Sequence, residues 1–180
     1  MADISVYMDT CCFIDVVKKQ KGLSTITNQD KDIWAAEQLL RAARNNDIRI
    51  YTSSLTMAEL IGVRKNSNET INMDAETQRL IGSILGSGRS GVIPVQPDYF
   101  VIKAARDLAW THGFSAVKPM DRMHLATAIS VSCVEFVTTD NRLKSTIRTK
   151  MLGKLGLRIC NTKDTTILPD QYRQMVLHAQ

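Results

Sequence analysis

Five short runs rich in Val, Ile and Tyr, separated by stretches with helical spacing, constrain the fold of this chain more than any other feature. They are ISVYM at residues 4–8, IRIYT at 48–52, VIPV at 92–95, VEFVTT at 134–139 and LRIC at 157–160. The first is too short and too β-branched for a helix and reads as a buried strand, and the other four read as strands that follow it. Between them, DKDIWAAEQLLRAARNND places Ile33, Ala36, Leu39, Leu40 and Ala43 on one helical face. Acidic residues open that segment and Arg41 and Arg44 close it, which suits the helix dipole. Further helices are predicted over CFIDVVKKQ, LTMAELIGVRK (capped by Ser53 or Ser54), ETINMDAETQRLIGSIL, DYFVIKAARDLAWTHG with Gly113 as its stop, KPMDRMHLATAISVS and NRLKSTIRTKML. Strands alternating with helices predict an α/β fold, a three-layer α/β/α sandwich on a mainly parallel central sheet. Residues 1–163 are expected to form that domain, with 66–91 an insertion or mobile helical arm and 164–180 a C-terminal extension.

In such sheets the functional crevice lies beyond the carboxyl ends of the strands. Asp9 closes the first strand, Glu59 lies in the helix after the second, Asp121 opens the helix before the fourth, and Asp140 closes the fourth. Four carboxylates brought together repel, by about 4 kcal/mol for a pair at ~4 Å and an effective dielectric near 20. A divalent cation removes that cost, and hard oxygen donors select Mg²⁺ or Mn²⁺. Such an ion neutralises charge on a phosphoryl group and lowers the pKa of water, the requirements of phosphodiester hydrolysis. Each residue also has a plainer reading. Asp9 suits a turn, Asp121 and Asp140 suit helix starts, and Thr56-x-x-Glu59 suits a capping box. Asp15 reads as a structural or exposed acid.

Other chemistries find less support. The four cysteines include the adjacent Cys11 and Cys12, with no CxxC spacing, and read as small core residues in a reducing compartment. His112, His124 and His178 form no HxxxH or triad pattern, so zinc and Cys/His nucleophiles are not expected. A receiver-type phosphoacceptor needs an aspartate on a central strand, which IRIYTSS and GVIPVQ lack. The net charge of +5 favours an anionic partner, and from Asn141 to Lys163 every charged residue is basic. Arg142, Lys144 and Arg148 are therefore the expected contacts to a substrate backbone. No apolar run reaches the ~18 residues of a membrane span and no secretory pattern opens the chain, so a cytoplasmic protein without membrane contact is expected.

Taken together, VYMDTCCFIDVV, TSSLTMAEL, MDRMHLATAIS and FVTTDNRL resemble the PIN-domain nucleases over roughly residues 4–160, closest to the toxin ribonucleases of toxin–antitoxin pairs. The resemblance implies that Asp9, Glu59, Asp121 and Asp140 bind Mg²⁺ or Mn²⁺ and catalyse cleavage of single-stranded RNA. It implies that Thr10 and Thr138 orient this site through hydroxyl hydrogen bonds. A protein antitoxin and a homodimer are the partners it suggests besides RNA. Two alternatives are a non-catalytic RNA-binding or scaffolding module and a housekeeping RNA-processing nuclease.

Overall fold

The computed structural model describes residues 5–23, 30–63, 69, 74–86, 88, 90–147 and 155–174. Its elements, in chain order, are β1 (Ser5–Met8), α1 (Thr10–Gln20), α2 (Asp30–Arg44), β2 (Arg49–Ser53), α3 (Leu55–Glu59), α4 (Ala75–Leu85), β3 (Val92–Val95), α5 (Tyr99–Thr111), α6 (Pro119–Ser130), β4 (Glu135–Val137), α7 (Asn141–Thr146) and β5 (Arg158–Cys160). Short 3₁₀ turns follow at Thr162–Asp164 and Asp170–Tyr172. The five strands form one sheet in the order β3-β2-β1-β4-β5, and every pairing is parallel. The alternation visible in the sequence is therefore a doubly covered parallel sheet.

The pleat of β1 shows how the layers form. Val6 and Met8 point into one core with Phe13 and Val16 of α1, Leu39 of α2 and Ile84 of α4. Tyr7, between them, points into the other with Val101 of α5, Leu125 of α6 and Leu143 of α7. Successive strand residues face opposite sides, so a run apolar at every position needs helices on both. β1 lies between β2 and β4, with Met8 beside Val137. Asp9 consequently emerges at the centre of the sheet's carboxyl edge.

Three helices end or begin away from their predicted limits. The helix predicted over LTMAELIGVRK stops at Glu59, and Leu60 leaves helical geometry at φ −87°, ψ 57°. Gly62 and Val63 propagate a helix poorly, and the core takes up Leu60 and Val63 from the irregular turn instead. The helix predicted through Leu85 includes Asp74 in its middle, but Asp74 is the N-cap of α4, accepting a 2.7 Å bond from the Thr77 amide. α7 ends at Thr146, with Ile147 extended; residues 148–152 of the predicted helix lie outside the described residues. Gly113 does follow α5 at φ +75°, the left-handed geometry that glycine adopts without a Cβ clash.

α4 falls within the 66–91 segment and adds Ile84 and Leu85 to the core. Gly91 ends that segment at φ +72°, where a Cβ would lie 2.3 Å from the Ala43 carbonyl, so the chain passes against α2 too closely for any side chain. Beyond residue 163, Leu168 and Tyr172 join the same core. Glu135, almost wholly buried, accepts hydrogen bonds from Arg158 and from the Thr165 and Thr166 hydroxyls, tying that tail to β4. No described helix is long and apolar enough to cross a membrane.

Candidate active site

Asp9 and Asp140 reach the carboxyl edge for the same local reason: each is the N-cap of the helix after a strand. The Asp9 Oδ1 atom accepts from the Thr10 amide at 2.8 Å. Its Oδ2 accepts from the Thr138 hydroxyl at 2.7 Å and the Cys11 thiol at 3.1 Å. Thr138 Oγ1 in turn accepts from the Asp140 amide at 3.0 Å. One buried hydroxyl thus links the two capping aspartates across adjacent strands. Partial burial opposes charge on Asp140, but the Arg142 and Leu143 amides and the Arg142 guanidinium outweigh it and hold its carboxyl below the usual range.

Asp121 behaves differently. It sits in the first turn of α6, whose N-cap is Lys118. Among the described residues its carboxylate accepts no hydrogen bond. Burial raises its pKa, and the charges of Asp9 and Asp140 raise it further, against weaker relief from Lys118 and His124. Asp121 therefore lies close enough to Asp9 and to Asp140 to feel both charges. A small cavity of about 70 Å³ opens between Lys118, Asp121, Asp140 and Arg142.

Glu59 does not serve a capping box, because the N-cap of α3 is Ser54 and not Thr56. Its Oε2 accepts from the Thr10 hydroxyl and stands 2.9 Å from His124 Nε2. Ser53 N–H donates to the Tyr7 hydroxyl at 2.7 Å, leaving the Tyr7 proton for His124 Nδ1 at 2.6 Å. That assigns the remaining ring proton to Nε2, facing Glu59. The His124 bond, aided by Thr10, holds the Glu59 carboxyl below its usual pKa although burial opposes it. Burial would lower the pKa of His124, but the Glu59 bond and the fields of Asp9, Glu59 and Asp121 raise it overall.

The sequence reading missed this relay. His124 is a lone histidine with no partner nearby in sequence, and Tyr7 looks like one more apolar strand residue. Two signals were available: Asp121 and His124 are three apart on one helical face, and the pleat turns Tyr7 toward α6. Cys11 packs against the core, as the sequence predicts, and it also reaches the site. Its thiol touches the Asp9 carboxylate, and its sulfur accepts from the Thr139 amide at 3.2 Å. Cys12, Cys133 and Cys160 are buried and unbridged. Asp15 accepts from the Thr139 hydroxyl at 2.7 Å and pins α1 to the loop after β4.

The expected substrate contacts diverge. The Arg142 side chain is 80% exposed and its guanidinium lies 3.4 Å from Asp140. Lys144 is bonded to the Asn161 side chain. Arg148 lies outside the described residues. A cavity of about 820 Å³ runs along β5 past Lys144 and Arg158, away from the aspartates.

Strand-end aspartates bridged by a threonine, on a five-stranded parallel sheet, agree with what sequence comparison finds: the family model for the PIN domain matches residues 6–148. The chain belongs to the PIN-domain family. PIN domains are generally nucleases and typically use divalent metals. No curated protein matches the sequence. The match spans all four carboxylates of this PIN domain, together with Thr10, His124 and Thr138.

The donor set suits a hard divalent cation in kind. Asp121 is an under-compensated carboxylate facing two others, and the adjoining oxygens come from carboxylates and hydroxyls. Among the described residues no three His, Cys, Asp or Glu side chains are gathered closely enough to hold an ion as they stand.

Proposed function

We propose that this PIN domain is a Mg²⁺- or Mn²⁺-dependent endoribonuclease. The observation that carries the reading is Asp121, held without a hydrogen-bond donor among the described residues and pushed toward its neutral form by burial and by the charges of Asp9 and Asp140. A fold does not retain such repulsion for stability, whereas a bound cation would relieve it. Asp9, Asp121 and Asp140 would hold the ion. When bound, Mg²⁺ or Mn²⁺ neutralises charge on the phosphoryl group and makes water more acidic near neutral pH.

The chain's own residues divide the remaining work. Thr138 fixes the Asp9 carboxylate and the Asp140 amide in one arrangement. His124 and Thr10 occupy Glu59 Oε2 and keep Glu59 ionised, which makes it a weak proton acceptor near neutral pH. Its Oε1 is left to orient water or complete the cation's ligands. The exposed Arg142 guanidinium, beside Asp140, is placed to meet a backbone phosphate.

The motif resemblance extends this reading to the toxin of a toxin–antitoxin pair, with a protein antitoxin as partner. Induced expression of the wild type should then arrest growth, and Asp121→Asn should not. Asp121→Asn is the most informative variant, since Asp9 and Asp140 each cap a helix and Asp121 does not. Metal-dependent RNA cleavage by the wild type and its loss in Asp121→Asn test the central reading. Wild-type cleavage rates in a folded Asp121→Asn protein would exclude it.

A further inference from the structure

The 3₁₀ turn after β5 and the first turns of α2 enclose a cavity of about 320 Å³ that the catalytic groups do not touch. Its lining includes Trp34, Leu168 and three cationic residues, Lys31, Lys163 and Arg173. The cations are only partly compensated. Lys31 makes no ion pair among the described residues. Lys163 lies 3.3 Å from the buried carboxylate of Asp32. Arg173 is held by the Leu168 and Thr166 carbonyls at 2.7 and 2.8 Å, and among the described residues its acidic neighbour is the fully exposed Asp170.

The cavity lies on the same end of the sheet as the aspartates. Cys160, the last residue of β5, pairs with Val137, and Thr138 follows Val137 onto Asp9. Thr162, two residues after Cys160, donates to the Asp32 carbonyl at 2.6 Å and brings the start of α2 to that edge. Asp15, bonded to Thr139, occupies the ground between, close enough to Asp32 to feel its charge.

A tryptophan beside clustered cations at a crevice edge is the combination of residues that holds single-stranded nucleic acid. The base stacks and the phosphate is neutralised, with little dependence on sequence. We propose that this cavity binds one nucleotide of the RNA strand away from the cleaved bond, its base against Trp34 and its phosphate among Lys31, Lys163 and Arg173. The proposal rests on the ribonuclease reading for its substrate, but binding can be measured without cleavage.

The chain has two tryptophans, so Trp110→Phe leaves Trp34 as the sole indole, and Trp34→Phe leaves Trp110. Both proteins are titrated in EDTA with a short single-stranded oligoribonucleotide, a nucleoside monophosphate and polyglutamate, while tryptophan fluorescence is followed. The oligoribonucleotide should quench Trp34 saturably and leave Trp110 unchanged. Lys31→Gln should weaken binding several-fold and reduce the slope of log K against log salt by about 0.7. Trp34→Ala should weaken it roughly ten-fold or more, with Trp34→Phe falling in between. Equal quenching by polyglutamate would make the cavity a general acidic-ligand site, and equal quenching by the monophosphate a free-nucleotide site; either overturns the proposal. RNA that is cleaved with Mg²⁺ or Mn²⁺ but leaves Trp34 unquenched overturns the cavity's role and leaves the nuclease reading intact. Quenching without cleavage under any metal keeps the cavity's role and removes the nuclease reading.

Discussion

The Tyr7–His124–Glu59 relay makes a quantitative prediction for paired substitutions. Tyr7 and His124 are almost completely buried, so each hydrogen bond lost there leaves a group that water cannot reach. In His124→Leu, Glu59 loses a bond to an ionised oxygen and the Tyr7 hydroxyl keeps a proton with no acceptor. Hydrogen bonds to charged groups contribute about 1.5–3 kcal/mol and an orphaned buried donor costs about 1–3 kcal/mol. The Glu59 side chain is 30% exposed and partly rehydrates, so the expected loss is about 2–4 kcal/mol. For a chain this long that corresponds to a Tm roughly 5–15 °C lower. Tyr7→Phe keeps the ring stacked on Phe136 at 5.0 Å but orphans the Ser53 amide and His124 Nδ1, at about 2–3 kcal/mol. In the double variant the hydroxyl and the imidazole disappear together, so the combined loss should fall short of the sum by about 1–2 kcal/mol. Urea unfolding of the four proteins in EDTA measures the cycle. Additivity within about 0.5 kcal/mol would show that the two side chains do not share a proton and would refute the relay.

Further outcomes follow from the same groups. The His124 pKa is raised above its ordinary 6.5, so its stabilisation is complete below that value and is lost as pH rises through the higher folded value. Glu59 has the opposite sign: its contribution is present above its ordinary 4.5 and is lost as pH falls through the lower folded value. The Tm gap between wild type and His124→Leu should therefore be widest between about pH 5 and 6.5 and narrow toward pH 9; a gap that grows with pH contradicts the assignment. Without metal, Asp121→Asn should raise Tm at pH 7 by about 2–4 °C, since removing repulsion between partly exposed charges is worth on the order of 1 kcal/mol. Millimolar Mn²⁺ should raise the Tm of the wild type and not of that variant, as differential scanning fluorimetry would show. Thr138→Val removes the hydroxyl that links Asp9 to the Asp140 amide and should cut cleavage ten-fold or more, while Thr138→Ser should restore most of it. Equal rates for Val and Ser would remove Thr138 from the site.

The sheet was legible because its signals are local. Runs such as ISVYM and VEFVTT carry large apolar side chains toward both faces, Val6, Met8 and Val137 toward one and Tyr7 and Phe136 toward the other, and that pattern needs covering helices on either side. The capping aspartates were legible for a related reason. Asp9 and Asp140 terminate strands and begin helices, and both roles can be read within a few residues. Glu59 was legible as a carboxylate near a strand end but not in its bonding. Whether it closes a capping box or turns to Thr10 and His124 depends on where α3 starts, and that helix is capped at Ser54 rather than Thr56. His124 could not be assigned from its neighbours, since its partners are 65 and 117 residues away along the chain. Cys11 was hidden because adjacent cysteines suggest packing, and only the fold shows that one thiol turns out to Asp9 while Cys12 turns into the core.

Cleavage of a single-stranded RNA by wild type and Asp121→Asn, each in Mg²⁺, Mn²⁺ and EDTA, tests the central claim most directly. The account predicts internal cleavage by the wild type with either metal, none in EDTA, and at least a hundred-fold loss (about 2.7 kcal/mol) in Asp121→Asn despite its equal or higher Tm. Undiminished cleavage in EDTA, or by the folded variant, would contradict it.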